Sequence, residues 1–258
     1  MYWDMLRLDH SGREFKSLLS VGAGGQAFAP SLYKDIATAF PLAVLGVGYG
    51  MTECGGTVCT IAGKELDSRV TASGRVFPSV DVRIVNEEDA EVPIGEPGEI
   101  LMRGAMLMRE YCKQAQATAE VLQDGWLRTG DIGRVDAEGY LHVVDRKKNI
   151  VISGGENISC NEVEAALMEH GGVAEAAAFS VPDERLGEQV VVAVVLLEGQ
   201  ALSEEALKAH MGERLAAYKV PRRVVFFDSL PRNATEKVLR HELRRLFLTQ
   251  IDGITDTV

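Results

Sequence analysis

Asp145-Arg146-Lys147-Lys148-Asn149-Ile150-Val151-Ile152-Ser153-Gly154-Gly155-Glu156-Asn157 is the stretch on which the organisation of this chain turns. Four charged residues run into a β-branched apolar triplet and then a double glycine. Tyr140-Leu141-His142-Val143-Val144, an aromatic and aliphatic run, precedes it. Ser159-x-x-Glu162, the spacing of a capping box, follows it. A charged junction between two strand-like runs reads as a boundary between two bodies that share a site.

Upstream of the junction the chain changes texture once. Leu18-Leu19-Ser20-Val21 leads into Gly22-Ala23-Gly24-Gly25, residues 30–40 carry apolar side chains at helical spacing, and Leu42-Ala43-Val44-Leu45 leads to Gly48-Tyr49-Gly50. Strand, glycine turn, helix, strand, turn is the grammar of a parallel α/β sheet. Ligands gather at the carboxyl ends of such strands, where both glycine turns are expected. From residue 73 onward, short strands alternate with turns at Pro93, Gly95, Pro97 and Gly98, and predict a small β-barrel-like subdomain. Beyond the junction, Ser159 and Ser203 open helices, strands are expected over 176–181, 190–197 and 224–227, and a last helix is expected from Thr235 with Leu239, Leu243 and Phe247 on one face. The expected fold is therefore mixed α/β and α+β. The end of an α/β domain spans residues 1–68, a small β subdomain 69–144, a C-terminal α+β domain 145–250, and a frayed tail 251–258.

Composition narrows the function classes. The 258 residues carry a formal net charge of -11, which argues against a nucleic-acid partner but leaves room for a locally basic site taking a small anion. The four cysteines form no C-x-x-C pair, so reduced thiols in a cytoplasmic protein are expected rather than zinc. The amino-terminal residues lack the pattern of a signal peptide. The longest strongly apolar run, 190–197, is too short to span a bilayer.

Several short motifs carry candidate chemistry, each with a plainer reading beside it. Gly22-Ala23-Gly24 lets a flat ring lie against backbone, or is turn chemistry alone. Gly48-Tyr49-Gly50-Met51-Thr52-Glu53 offers a stacking ring, a hydroxyl for phosphate and a carboxylate for Mg²⁺, or is a turn with a packed tyrosine. Asp131, in Arg128-Thr129-Gly130-Asp131, can accept both hydroxyls of a ribose, or serve an Asx-turn. Arg146 can fork onto phosphate and Lys148 is a flexible point charge, or both belong to a solvated charge run. Gly154-Gly155 gives room for a thin chain to pass, or makes a turn. Lys237, expected just inside the last helix, can clamp an anion together with the helix amides, or is an exposed first-turn lysine.

The order of these motifs, closing on Leu230-Pro231-Arg232…Lys237, resembles the adenylate-forming superfamily. The wording Ile152-Ser153-Gly154-Gly155-Glu156-Asn157-Ile158 resembles its acyl-CoA synthetases, particularly the fatty-acyl and related carboxylate ligases. The resemblance runs from about Phe15 to about Phe247. It implies a two-step reaction: a carboxylate attacks the α-phosphate of Mg-ATP to give acyl-adenylate and pyrophosphate. The C-terminal domain then rotates, and coenzyme A displaces AMP. By the same resemblance Gly22, Ala23 and Gly24 match the adenine-side loop, Tyr49 with Gly50 and Met51 the adenine-stacking segment, and Thr52 a phosphate contact. Glu53 matches the magnesium-side carboxylate, Asp131 the ribose-binding aspartate and Arg146 a nucleotide contact. Asp145 matches the hinge, Lys148, Gly154 and Gly155 the thioester-forming face, and Lys237 the lysine bridging carboxylate and phosphate. Gly55, Gly56 and Cys59 are expected along one wall of an acyl pocket.

Two departures qualify the resemblance. The family's phosphate loop and most of its large N-terminal domain have no counterpart here, so a truncated and poorly active form is expected, with self-association through exposed apolar surface on residues 1–140. The second reading is a non-catalytic remnant or partner-binding fragment that keeps weak AMP or CoA binding. Glu236 stands before Lys237 where the family has glycine; its carboxylate either pairs with Lys237, repels the phosphates and weakens adenylation, or points to solvent and merely stiffens the loop.

Overall fold

In a computed structural model, which describes residues 2–8, 15–24, 30–233 and 236–255, the chain divides into two compact units, Met1–Val144 and Asp145–Val258. The first opens with a helix, α1 (Tyr2–Arg7), where the sequence shows no clear period. It continues through β1 (Ser20–Gly24), α2 (Pro30–Ala39) and β2 (Val44–Met51), with β1 and β2 parallel. The glycines expected as turns are strand: Gly22 pairs with Gly46 and Gly24 with Gly48 in that ladder, and β2 runs on through Gly50 (Gly25 lies outside the described residues). Gly50 shows why. β3 (Gly56–Ala62) folds back antiparallel on β2, and a Cβ added at Gly50 would lie 1.9 Å from the Gly56 carbonyl oxygen. Only glycine lets two backbones meet so closely.

The first unit continues with α3 (Lys64–Asp67), β4 (Gly74–Val76), β5 (Asp81–Val85), β6 (Gly98–Arg103), α4 (Ala115–Val121), β7 (Leu122–Gln123), β8 (Trp126–Val135) and β9 (Tyr140–Arg146). The sheet order is β1-β2-β3-β4-β9-β8-β6-β5, with β7 beside β8. Among the described residues the expected barrel-like closure is absent. β4 pairs with β3 through Cys59 and Thr60 and with β9 through Tyr140 and Leu141, so the later strands extend the α/β sheet instead of closing on themselves. Ile36, Phe40, Leu45, Val47, Ile61 and Leu66 form one buried cluster, and Val58, Ile84, Ile100, Met102, Leu127 and Leu141 belong to another.

The second unit places helices on both faces of a sheet. β10 (Ile150–Ser153) and β11 (Glu156–Ser159) form a hairpin whose two-residue turn is Gly154-Gly155, both at positive φ (61° and 89°). Such turns match the twist of the strands they join. α5 (Cys160–Met168), β12 (Val173–Asp183), β13 (Gly187–Leu196), α6 (Glu204–Gly212), β14 (Arg223–Phe226) and α7 (Arg240–Thr255) follow. Val190, Val192 and Val194 pack with Val163, Leu167, Leu207 and Met211, while Val191 and Ala193 pack with Leu243 and Phe247. Burial on both faces explains the unbroken apolar run seen in the sequence.

Two helix boundaries differ from expectation. α7 begins at Arg240, not at Thr235 (itself outside the described residues), because Glu236 sits at φ 60° and a right-handed helix cannot pass through it. The tail expected to fray from Asp252 is helical through Thr255.

Candidate functional site

In the first unit the structure brings Tyr49 and Asp131 together although 82 residues separate them. Tyr49 lies on β2 and Asp131 on β8. The segment expected to turn at Gly130 is instead a bulge within β8: Glu99 pairs with Ile132 but Leu101 with Arg128, so extra residues of β8 stand opposite Ile100. Gly130, at φ 67°, takes the conformation that the bulge requires. The bulge aims the Asp131 carboxylate at Tyr49, whose hydroxyl donates to Oδ2 at 2.7 Å. Thr129 Oγ1 donates to the Ile100 carbonyl at 2.7 Å and accepts from the Asp131 amide at 3.1 Å, fixing the bulge. Burial first, and the Asp131 charge second, push the Tyr49 phenol well above its ordinary value. Tyr49 therefore stays protonated and donates to Asp131. Arg128, from the same motif, is committed elsewhere: its guanidinium donates to Glu99 at 3.1 Å and to Asp89.

Thr52 and Glu53 follow β2 directly, in a single 3-10 turn over Thr52–Cys54. Thr52 is exposed and Glu53 half-buried. The Glu53 carboxylate accepts from the Tyr111 hydroxyl at 2.7 Å. Burial pushes the Cys54 and Cys59 thiols up to about 11, with the Glu53 and Asp131 charges adding to Cys54. At neutral pH these thiols are protonated and unreactive. Cys59 is fully buried, so it lies in the sheet and lines no open pocket wall. Gly55 and Gly56 are exposed at the same turn. Gly22, Ala23 and Gly24 run alongside β2, with the Gly22 carbonyl accepting from the Tyr2 hydroxyl at 2.5 Å.

In the second unit Asp145 is buried, at 1% exposure, and among the described residues its carboxylate gathers four donors. These are the Arg146 amide at 2.7 Å, Asn149 Nδ2 at 3.1 Å, Ser159 Oγ at 2.7 Å and the Asn161 amide at 2.9 Å. Ser159 in turn caps α5 by accepting from the Glu162 amide at 3.3 Å. Arg146 and Lys148 are exposed, with Lys148 in a 3-10 turn over Lys147–Asn149. Gly154 and Gly155 form the hairpin turn, with the Gly154 amide donating to Leu186 O at 2.9 Å.

Lys237 is exposed and lies three residues before α7 rather than inside it. Its loop is closed instead by an Arg232–Val238 bridge. The Lys237 amide donates to Asn233 Oδ1 at 2.9 Å, and Arg232 donates to the Glu236 carbonyl at 2.6 Å and to Glu175 on β12. Sequence reasoning did not single out Tyr111, which lies 58 residues from Glu53, or the tie from Ser159 to Asp145. The capping spacing marks Ser159 as a cap but cannot show what else its hydroxyl touches.

The chain belongs to the adenylate-forming, AMP-binding family: residues 1–112 match the AMP-binding enzyme model and residues 162–237 the AMP-binding enzyme C-terminal domain. Among its relatives are CoA ligases. A feruloyl-CoA synthase from Amycolatopsis is 41% identical over 90% of this chain and 46% of its own length. A long-chain-fatty-acid–CoA ligase from Escherichia coli is 41% identical over 76% of this chain and 35% of its own. In three dimensions the chain resembles an o-succinylbenzoate CoA synthetase from Bacillus subtilis solved with its acyl-adenylate intermediate. The TM-score is 0.84 and the identity 32%, over 94% of this chain and 49% of that one. The chain thus spans about half the length, or less, of the curated relatives it matches. No helix of the described residues is long and apolar enough to cross a membrane.

Proposed function

We propose that the chain supplies the ribose-binding, phosphate-side and thioester-forming parts of an ATP-dependent acyl-CoA synthetase, joining a small carboxylic acid to CoA through an acyl-adenylate. The observation that carries this reading is the Tyr49–Asp131 pair. A buried carboxylate is aimed by a bulge and held by a phenol. That is the equipment needed to take the two hydroxyls of a ribose. Tyr49 offers its ring face to adenine, Thr52 its hydroxyl to phosphate, and Lys237 its ammonium to the carboxylate and α-phosphate. Arg146 is assigned to the nucleotide, Lys148 with Gly154-Gly155 to the thioester step, and Asp145 to the hinge. Magnesium, when bound, neutralises phosphate charge. Glu53 suits it as a hard oxygen donor. Catalysis in this scheme is positioning plus charge neutralisation.

The test is titration calorimetry of the chain with AMP and with CoA, for the wild type and D131A. AMP binding that D131A weakens at least tenfold supports the reading; no AMP binding by a folded wild type overturns it. A second reading, a non-catalytic chain that docks a partner, draws on the exposed Leu19, Leu42 and Val44 around the start of β1 and β2. Concentration-dependent self-association without AMP or CoA binding would favour it.

A further inference from the structure

One segment holds Glu53 from two sides. The Met108 amide donates to the Glu53 carbonyl at 2.6 Å, and the Tyr111 hydroxyl donates to Glu53 Oε1 at 2.7 Å. Tyr111 is itself fixed. Its amide donates to Thr118 Oγ1 at 2.9 Å, Thr118 Oγ1 donates to the Gln114 carbonyl at 2.9 Å, and the Gln114 amide donates to the Tyr111 carbonyl at 3.1 Å. The phenol thus projects from a small knot tied into the first turn of α4, not from a loose loop. The Met108 amide already secures the Thr52–Cys54 turn through the backbone. The phenol acts on the carboxylate alone, and Glu53 Oε2 makes no hydrogen bond among the described residues.

A carboxylate fixed on one oxygen presents the other as a one-point ligand. Magnesium is commonly bound this way, by one or two protein carboxylates with phosphate oxygens and water filling the remaining positions. Loss of a partner that orients a ligating group typically costs about 10–100-fold in metal affinity. We propose that Tyr111 is the positioning residue for Glu53. It fixes Oε1 so that Oε2 is the oxygen available to a divalent cation carried by a nucleotide phosphate. The proposal rests on the nucleotide reading given above.

The experiment is manganese binding to the full chain in the presence of ATP, followed by water-proton relaxation, for wild type, Y111F, E53Q and the double variant, with thermal melts alongside. Y111F is expected to weaken manganese binding about tenfold. In the E53Q background it should add less than about twofold, because Tyr111 acts only through Glu53. Unchanged manganese affinity in Y111F, or an effect of Y111F that persists in full without the Glu53 carboxylate, overturns the proposal. Should Y111F fail to fold, 3-fluorotyrosine at position 111 keeps the ring and alters only the donor; an unchanged affinity there overturns the proposal equally. A wild type that binds no manganese with ATP overturns the nucleotide reading itself, and the role of Tyr111 falls with it.

Discussion

The Tyr49 hydroxyl donates to Asp131 Oδ2 at 2.7 Å, joining the second strand of the first unit to its longest one. Hydrogen bonds to a charged acceptor contribute about 1.5–3 kcal/mol when buried. Tyr49→Phe keeps the ring and removes the donor. It is expected to lower the thermal midpoint by roughly 3–12 °C, at about 2–4 °C per kcal/mol for a chain of this size. It should also weaken AMP several-fold, since Asp131 loses its orientation. A melt within a degree of wild type would show that the pair does not hold the sheet.

Alkaline pH should expose the same region. Burial, then the Asp67 hydrogen bond and charge, push Tyr33 up to about 12, and burial pushes Cys54 and Cys59 up to about 11. Each acid is harder to ionise folded than unfolded, so the unfolded chain loses its proton first. The stability these groups contribute is complete below their ordinary values, 9.0 for the thiols and 10.0 for Tyr33. It is lost as pH rises through the interval up to the folded values. Urea midpoints should therefore fall steadily above about pH 9. Tyr33→Phe should flatten the upper part of that limb, and an unchanged slope would count against the Tyr33 assignment.

What the sequence made legible follows from range. The strand–helix–strand opening and the cap at Ser159 are set by periodicity and by a hydroxyl within one turn of its target, so they appear in the fold. Gly22, Gly24, Gly48 and Gly50 misled, because a glycine paired within a strand looks in sequence like one that makes a turn, and at Gly50 it is the crossing backbone that requires it. Only the approach of Gly56 to Gly50 distinguishes them. Gly130 misled in the same way, as a bulge deep in β8. The open sheet was hidden for a different reason: β4 is three residues long, and its pairing with both β3 and β9 leaves no periodic trace. In the site, residue types and order were readable, while the partners that aim them, Tyr111 for Glu53 and Ser159 for Asp145, were not.

Asp145, assigned above to the hinge, is also a buried structural tie. With four donors converging on a carboxylate at 1% exposure, it ties the start of the second unit to the first turn of α5. Asp145→Ala leaves the Asn161 amide and the Ser159 hydroxyl without this acceptor and is expected to cost about 2–4 kcal/mol. Asp145→Asn keeps the shape but turns one acceptor oxygen into a donor, and should cost nearly as much. Chemical denaturation of both variants reads this directly. A loss below about 0.5 kcal/mol would be ordinary for a surface position and would return Asp145 to a purely hinge-like role.

Glu236 combines two effects that different substitutions separate. Its φ of 60° lies in the left-handed region, where a side chain costs about 1–2 kcal/mol relative to glycine. It directly precedes in sequence Lys237, the residue assigned to the phosphates. Glu236→Gln keeps the strain and removes the charge; Glu236→Gly removes both, and loses about 0.4–1 kcal/mol to the greater freedom of the unfolded chain. Stability should therefore stay level in E236Q and rise by roughly 0–1 kcal/mol in E236G. Activity separates the two causes. In a chain joined to the N-terminal half of a relative, charge repulsion predicts that E236Q alone speeds pyrophosphate exchange about tenfold, because relief of roughly 1.4 kcal/mol is a factor of ten in rate. If only E236G speeds it, the constraint is the backbone conformation of the Lys237 loop, held by Arg232 through the Glu236 carbonyl. If neither does, Glu236 points to solvent and the loop tolerates it without consequence for adenylation.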